Sequence, residues 1–192
     1  MNKRVFDLVF LVLTFPVWFA LAVATAVLTA LFIGWPILYF DDRAGLRGRP
    51  FRLVKFRTMR EGPGSDAERL TRAGRILRAL SLDELAEIWN VVRGEMSLVG
   101  PRPLPVRYLP RYTAEQNRRH EVLPGLTGLA QVMGRNALTW EEKFAFDLQY
   151  VDRHTIGLDL KIIALTFLRV IAPRGISHPG ETTMYEFKGG AA

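Results

Sequence analysis

Between Leu8 and Phe40 the chain carries no charged side chain. A membrane-crossing helix needs about 20 consecutive apolar residues, so this run is long enough for one. It also lacks the polar face that a surface helix of a soluble domain would show. Pro16 sits inside the run, where it removes one backbone hydrogen bond and crowds the preceding turn, so the pattern predicts a kink there. Gly34-Trp35-Pro36 ends the helix, with Trp35 and Tyr39 suited to the membrane–water boundary. Both flanks are basic: Lys3 and Arg4 precede the run, and Arg43, Arg47, Arg49, Arg52, Lys55, Arg57 and Arg60 follow it. Basic flanks favour the cytoplasmic side, so both ends compete for the same face. A kinked helix that turns back satisfies both; an ordinary span satisfies one. A cleaved signal peptide is the third reading, since Ala24-Thr25-Ala26 resembles a cleavage site, but the apolar run continues well beyond it.

Beyond residue 40 the pattern changes to short elements, read as one compact domain over 41–192. Phe51 to Thr58 alternates as a strand that places Leu53, Lys55 and Arg57 on one face. Residues 61–66 (EGPGSD) form a loop, Ala67 to Ala79 a basic helix, and Leu82 to Val92 a second helix. Residues 99–105 (VGPRPLP) make a rigid loop, Ala114 to Val122 is helical, and 123–128 (LPGLTG) is another loop. Thr139-Trp140-Glu141-Glu142 opens a helix that runs to about Tyr150, by its capping-box pattern. Leu158 to Ile171 is apolar on most sides and suits either the core or a membrane interface. The Gly-rich tail from Pro173 reads as extended. The class expected is α+β, mostly helical with a small β element.

Composition narrows the chemistry. Cysteine is absent and only three histidines occur, His120, His154 and His178. That removes disulfides, thiolate zinc sites and a histidine-rich metal site, and leaves a hard, oxygen-liganded ion such as Mg²⁺. The net charge is +7, which attracts phosphorylated substrates or an acidic membrane surface. The basic residues form no recognition helix, zinc finger or stacking motif, so no nucleic-acid partner is expected.

Ser81-Leu82-Asp83-Glu84 holds the strongest candidate chemistry. One reading is structural: Ser81 caps the helix and Glu84, three residues on, completes a capping box. The other is catalytic: an ionised Asp83 at a helix start is a competent nucleophile toward phosphorus, with Glu84 beside it to help hold Mg²⁺ or manage a proton. Lys55 and Arg57, two residues apart, suit a diphosphate clamp or a solvated strand face. Arg102, between two prolines, has a fixed direction suited to phosphate, or is a surface turn residue. Arg135 follows a glycine that permits close ligand approach. Asp159 near a helix start serves the dipole or a sugar hydroxyl.

Taken in order, FRLVKFRTM, SLDELAEIWNVVRGEMSLVGPRP, LPGLTGLAQVMGRN, FDLQYVD and LDLK closely resemble the monotopic phosphoglycosyl transferases, the bacterial sugar transferase family. The resemblance runs from Lys3 nearly to the C-terminus. It implies that Asp83 attacks the β-phosphorus of a UDP-sugar, releasing UMP, and that polyprenyl phosphate then displaces Asp83. It further implies Glu84 as the second acid near Mg²⁺, and Lys55 and Arg102 around phosphate. Gln131, Arg135 and Asp159 match positions linked to nucleotide-sugar recognition. Pro16 matches the helix-breaking proline of a re-entrant membrane helix over residues 1–40, with amphipathic interfacial helices around the catalytic domain on the cytoplasmic face of the bacterial inner membrane. The family often has serine before that proline; here Phe15 offers no hydroxyl, so the kink relies more on proline and neighbouring packing. Membrane lipid and downstream glycosyltransferases are the partners implied. The closing HPGETTMYEFKG is similar to small stand-alone members that transfer diacetylbacillosamine phosphate. The competing reading is a non-catalytic scaffold in a glycan-assembly complex.

Overall fold

The computed structural model describes residues 2–134, 137–171 and 186–189. Arg135 and most of the Gly-rich tail lie outside the described residues. The fold is α+β, with many short helices and two small sheets.

The apolar run forms two helices, α1 (Lys3–Leu13) and α2 (Phe15–Phe32), that meet at Thr14. Pro16 has no N–H to continue the ladder, so it starts α2 instead of extending α1. At the break the Trp18 indole N–H donates to the Leu11 carbonyl at 2.9 Å. The Thr14 hydroxyl, at 2.7 Å, is a second donor to the Phe10 carbonyl, which keeps the Thr14 backbone N–H at 3.0 Å. With no hydroxyl at Phe15, Trp18 thus adds a side-chain donor to what proline and packing supply. α2 is long and apolar enough to cross a membrane and is mostly exposed. Only Thr25 and Thr29 of α2 are buried.

Both ends of this pair are fastened to the rest of the molecule. At the start of α1, Lys3 pairs with Asp159 at 2.6 Å, and Arg4 donates to the Val91 and Val92 carbonyls. Buried Asp7 accepts from the Ser97 hydroxyl at 2.7 Å. Phe6 and Leu11 join the main core, with Leu53, Val91, Met96, Val99, Tyr150 and Ile162. α2 packs on the segment around Asp83 and on α4 (Arg72–Ala79).

Strands β1 (Leu38–Ala44) and β2 (Pro50–Phe56) form an antiparallel hairpin in which Tyr39 faces Lys55. The Asn90 side chain is inserted along β2, accepting from Val54 N and donating to the Arg52 carbonyl. An amide side chain thus serves backbone groups next to Lys55, which fixes where that lysine leaves the strand. β2 stops at Phe56, so Arg57 follows the strand rather than sharing its face with Lys55.

The single basic helix expected over 67–79 is two: α3 (Asp66–Arg69) and α4. Ser65 and Thr71 each cap a helix, and the intervening Leu70 is extended and buried, bridging to Met59. Two local caps and one buried side chain outweigh continuous helical periodicity. After a 3₁₀ turn at Leu82–Glu87 the chain continues as α5 (Ile88–Arg93).

The LPGLTG loop is also corrected. Its centre is a strand, β4 (Gly125–Thr127), parallel to β3 (Ser97–Val99). Glycine permits the pairing, because a Cβ on Gly125 would lie 2.0 Å from Gly100 N and one on Gly100 would lie 2.3 Å from the Leu123 carbonyl oxygen. Next come α6 (Ala114–Asn117), which precedes β4 in the chain, then α7 (Leu129–Met133) and α8 (Trp140–Arg153). The Thr139 capping box opens α8 as the sequence predicts. α9 (Ile156–Ile171) contributes to the core with Asp159, Ile162 and Ile163 buried, while Leu160, Phe167 and Leu168 are exposed.

The two glycine environments make a direct comparison. Gly125→Ala drives a methyl into backbone and should cost more than about 2 kcal/mol. Gly157→Ala, in the first turn of α9 with only a Thr155 hydroxyl at 3.9 Å, should be neutral or stabilise by up to about 1 kcal/mol. Denaturant unfolding of both variants checks this; equal stabilities would mean that β3 and β4 do not approach this closely.

Candidate active site

The turn that carries Asp83 begins in an unexpected way. Ser81 takes a left-handed conformation (φ 55°) and makes no side-chain cap hydrogen bond. The capping box expected between Ser81 and Glu84 is therefore absent. The Glu84 carboxylate is engaged elsewhere: its Oε1 accepts from Lys55 Nζ at 3.0 Å and from Arg102 at 2.5 Å. Two full positive charges are stronger partners than one backbone N–H, so tertiary electrostatics override the local motif.

Lys55 also pairs with Glu87 at 2.9 Å, and Glu87 is almost fully buried. Residues from β2, the 3₁₀ turn and the loop after β3 thus form one chain of charges, Glu87–Lys55–Glu84–Arg102. Glu87 was not a candidate from sequence. Only its position one helical turn after Glu84 hinted at a shared face.

Electrostatics separate the three carboxyl groups. Burial alone would raise the Glu84 pKa, but Arg102 and Lys55 more than reverse this and hold it far below the usual carboxylate range. Burial, with the neighbouring Glu84 charge, raises Asp83 above its ordinary value. Burial pushes Glu87 up to about 7 despite its lysine. Lys55 is raised: burial opposes its charge, and Glu84 and Glu87 outweigh that. Asp83 itself is influenced through space by Lys55, Arg78 and Arg102, with no hydrogen bond among the contributions. It is a buried carboxylate beside a charge network that has not consumed it.

Asp83 lines a cavity of about 1280 Å³. The lining falls into three chemical groups around the Lys55–Glu84–Arg102 centre. Arg57, Arg60, Arg69 and Arg78 make one wall cationic on balance, with Glu61 and Asp66 paired to Arg57 and Arg69. Thr14, Trp18 and Leu21 at the helix break, with Ile163 and Phe167 of α9, make an apolar wall. Trp140, Lys143 and Phe144 of α8 make a third. Such a cavity suits a ligand that combines phosphates, a polar ring and an apolar chain.

The structure brings Lys55, Arg57, Asp83, Glu84, Arg102 and Gln131 to this cavity. Arg57 is buried, with Nη1 3.1 Å from Glu61 and Nε without a hydrogen-bond partner among the described residues. Gln131 donates to the Leu126 carbonyl, and its buried Oε1 lacks a partner among the described residues. Asp159 is placed differently. It is buried against Lys3 at 2.6 Å and the Tyr150 hydroxyl at 2.7 Å, and it does not line this cavity. Arg135 lies outside the described residues. Sequence inspection passed over Arg78, whose Nε donates to the Thr58 hydroxyl at 2.9 Å; it lay within a helix read only as basic.

Comparison with known proteins fits this geometry. The family described as "Bacterial sugar transferase" matches residues 1–173. The chain is 46% identical over 193 residues to "Uncharacterized sugar transferase EpsL" of Bacillus subtilis (strain 168), covering 97% of this chain and 96% of that protein. It is 40% identical over 184 residues to a "UDP-glucose:undecaprenyl-phosphate glucose-1-phosphate transferase" of Caulobacter vibrioides, covering 86% of this chain and 68% of that protein. A "UDP-galactose-lipid carrier transferase" of Erwinia amylovora is 38% identical over 195 residues, and there the match covers 85% of this chain but 39% of that longer protein. With the match spanning most of its length, the chain belongs to the bacterial sugar transferase family.

Proposed function

We propose that this enzyme transfers a sugar-1-phosphate from a UDP-sugar to polyprenyl phosphate, in two steps through Asp83. The observation that carries the proposal is Asp83 itself: a buried carboxylate, outside the ion-pair chain that fixes Glu84, facing a cavity with cationic and apolar walls. In the first step an Asp83 carboxylate oxygen attacks the β-phosphorus, and the bond from that phosphorus to the bridging oxygen breaks. UMP leaves with the bridging oxygen and its electron pair. In the second step an oxygen of polyprenyl phosphate attacks the same phosphorus and Asp83 departs as carboxylate. Lys55, Arg57 and Arg102 hold phosphate oxygens, Arg102 through a planar fork suited to them. Gln131 offers its unpaired carbonyl oxygen to the nucleotide-sugar. The names of the relatives mention undecaprenyl phosphate, glucose and galactose; which sugar this enzyme takes is answered by a panel of UDP-sugars that includes UDP-diacetylbacillosamine.

Mg²⁺ suits the donor set. Among the described residues no group of three or more His, Cys, Asp or Glu side chains is placed to hold a metal ion. Asp83 and Glu84 Oε2 accept no side-chain hydrogen bond among the described residues, since Lys55 and Arg102 both donate to Glu84 Oε1. Mg²⁺ is commonly held by one or two carboxylates plus substrate phosphates, which is what Asp83 and Glu84 would provide. When bound, the ion would screen the diphosphate charge that otherwise repels the attacking carboxylate.

The anchoring of the helix pair supports a re-entrant membrane segment. The start of α1, through Lys3, Arg4 and Asp7, and α2, which packs on the Leu82–Glu87 turn and α4, contact the same catalytic body. A straight span would carry one of those ends across the bilayer. The enzyme is accordingly assigned to the bacterial cytoplasmic membrane, with the catalytic domain on the cytoplasmic face. Its product serves downstream glycosyltransferases.

Two experiments test these readings. The chain lacks cysteine, so Asn2→Cys introduces a lone thiol. It should be shielded from an impermeant thiol reagent in intact cells and react after lysis; labelling in intact cells would mean an ordinary span. Asp83→Asn should lower UMP release by more than about a thousandfold. Because burial raises the Asp83 pKa, its ionised form opposes folding: the stability it contributes is present below the unfolded pKa of 3.8 and lost as pH rises through the folded value. The Asn variant should therefore melt no lower than wild type at neutral pH. A well-folded Asp83→Asn with near-normal turnover would remove the mechanism.

A further inference from the structure

Arg102 reaches Glu84 from a segment with little structure of its own. Pro101 and Pro103 flank it and donate no backbone N–H, and its side chain is 43% exposed. Its direction must therefore be set from outside the loop. Most of the segment is held by neighbouring backbone: Gly100 N donates to the Thr127 carbonyl at 2.9 Å, and Gly125 N to the Pro101 carbonyl at 3.0 Å. Two carbonyls are held by side chains: Pro103 accepts from Arg43 Nη1 at 3.2 Å, and Arg102, the residue that grips Glu84, accepts from Arg119 Nη2 at 2.7 Å. The same guanidinium donates through Nε and Nη2 to Asp147 Oδ2, at 3.0 and 2.8 Å. The two side chains are 2% and 6% exposed, and the Arg119 guanidinium also lies over the Tyr112 and Phe144 rings.

A buried ion pair is weak evidence of stabilisation in itself, because desolvation offsets the attraction. Here it fixes one backbone atom of the residue that grips Glu84. Building on the phosphotransfer function above, we propose that Arg119 and Asp147 are positioning residues that set the reach of Arg102 onto Glu84 and the substrate phosphate. Asp147 orients Arg119, Arg119 holds the Arg102 carbonyl, and the Arg102 fork meets the charge network at a fixed height. Loss of the rivet leaves every residue of that network present but displaces the Arg102 guanidinium, and a displacement near 1 Å is enough to lower rates by roughly a hundredfold.

Both residues also line the cavity, so direct contact with substrate is the competing role, and a double-mutant cycle separates the two. The Arg119→Met/Asp147→Leu pair removes the donor while replacing the ion pair with apolar groups, an exchange that folds often tolerate. It should melt close to wild type, and its kcat for UMP release should fall roughly 10- to 100-fold with KM for the UDP-sugar little changed. Placed on Arg102→Ala, the pair should cause no further loss beyond about twofold, since residues acting through a shared partner are not additive. If the apolar pair does not fold, Arg119→Lys enters the same cycle: it keeps the charge beside Asp147 but loses the planar fork. A wild-type kcat in the single background, or a full multiplicative loss on Arg102→Ala, overturns the positioning role. Asp83→Asn distinguishes the two levels: if it stays active the reaction itself is wrong, whereas an inactive Asp83→Asn with a fully active Arg119 variant removes only the rivet.

Discussion

Glu84 Oε1 accepts from Lys55 on one side and Arg102 on the other, and much of the site follows from that shared atom. Three segments distant in sequence, β2, the turn after α4 and the loop after β3, converge on a single carboxylate. Removing Lys55 would leave buried Glu87 without its ion-pair partner, which commonly costs more than the intact pair contributes. The network therefore enforces register: Lys55 must leave β2 where Asn90 has fixed the strand, and Arg102 must leave its loop where Arg119 and the β3–β4 glycines have fixed it. Glu84 is consumed in holding this geometry together. Asp83, the adjacent carboxylate, is left outside the ion pairs and faces the cavity, which is the condition a nucleophile needs.

The same logic extends to the membrane segment. α1 contributes Phe6 and Leu11 to the core and Asp7 to the end of β3, where Ser97 and Leu98 N meet its carboxylate. The single Tyr150 hydroxyl proton is shared between the Val99 carbonyl at 2.9 Å and Asp159 at 2.7 Å, and Lys3 also holds Asp159. The strand leading into the Arg102 loop is thus tied directly to α1, which leads into the apolar helix α2. A catalytic centre that must accept one substrate from water and another from lipid gains a fixed height above the bilayer from such ties.

Elements whose signals are local were legible in the sequence. The break before Pro16, the strand around Lys55 and the Thr139 capping box each depend on neighbouring residues, and each is present. Where long-range contacts decide, local reading failed. Ser81 and Glu84 have the spacing of a capping box, yet two cations from other segments draw Glu84 away. Leu70 fits a continuous helix but is pulled into a bridge with Met59. Gly125 looks like a loop residue until Gly100 lies against it. Asp159 pairs with Lys3 from the opposite end of the chain, and neither Glu87 nor the Arg119–Asp147 pair has a sequence pattern that announces its partner. The ordered motif set identified the family, and the candidates it carried at Lys55, Arg57, Asp83, Glu84, Arg102 and Gln131 come together at one cavity, a convergence that spacing alone does not reveal.

The claim on which everything else rests is that Asp83 becomes covalently bonded to the transferred phosphosugar. Intact-mass measurement of the detergent-solubilised enzyme, incubated with UDP-sugar and Mg²⁺ but no lipid acceptor, tests it directly. The mass should rise by one phosphosugar, map to Asp83 and return to the original value when polyprenyl phosphate is added. An unmodified protein that releases UMP only when the lipid phosphate is present, or an adduct on any other side chain, would contradict it.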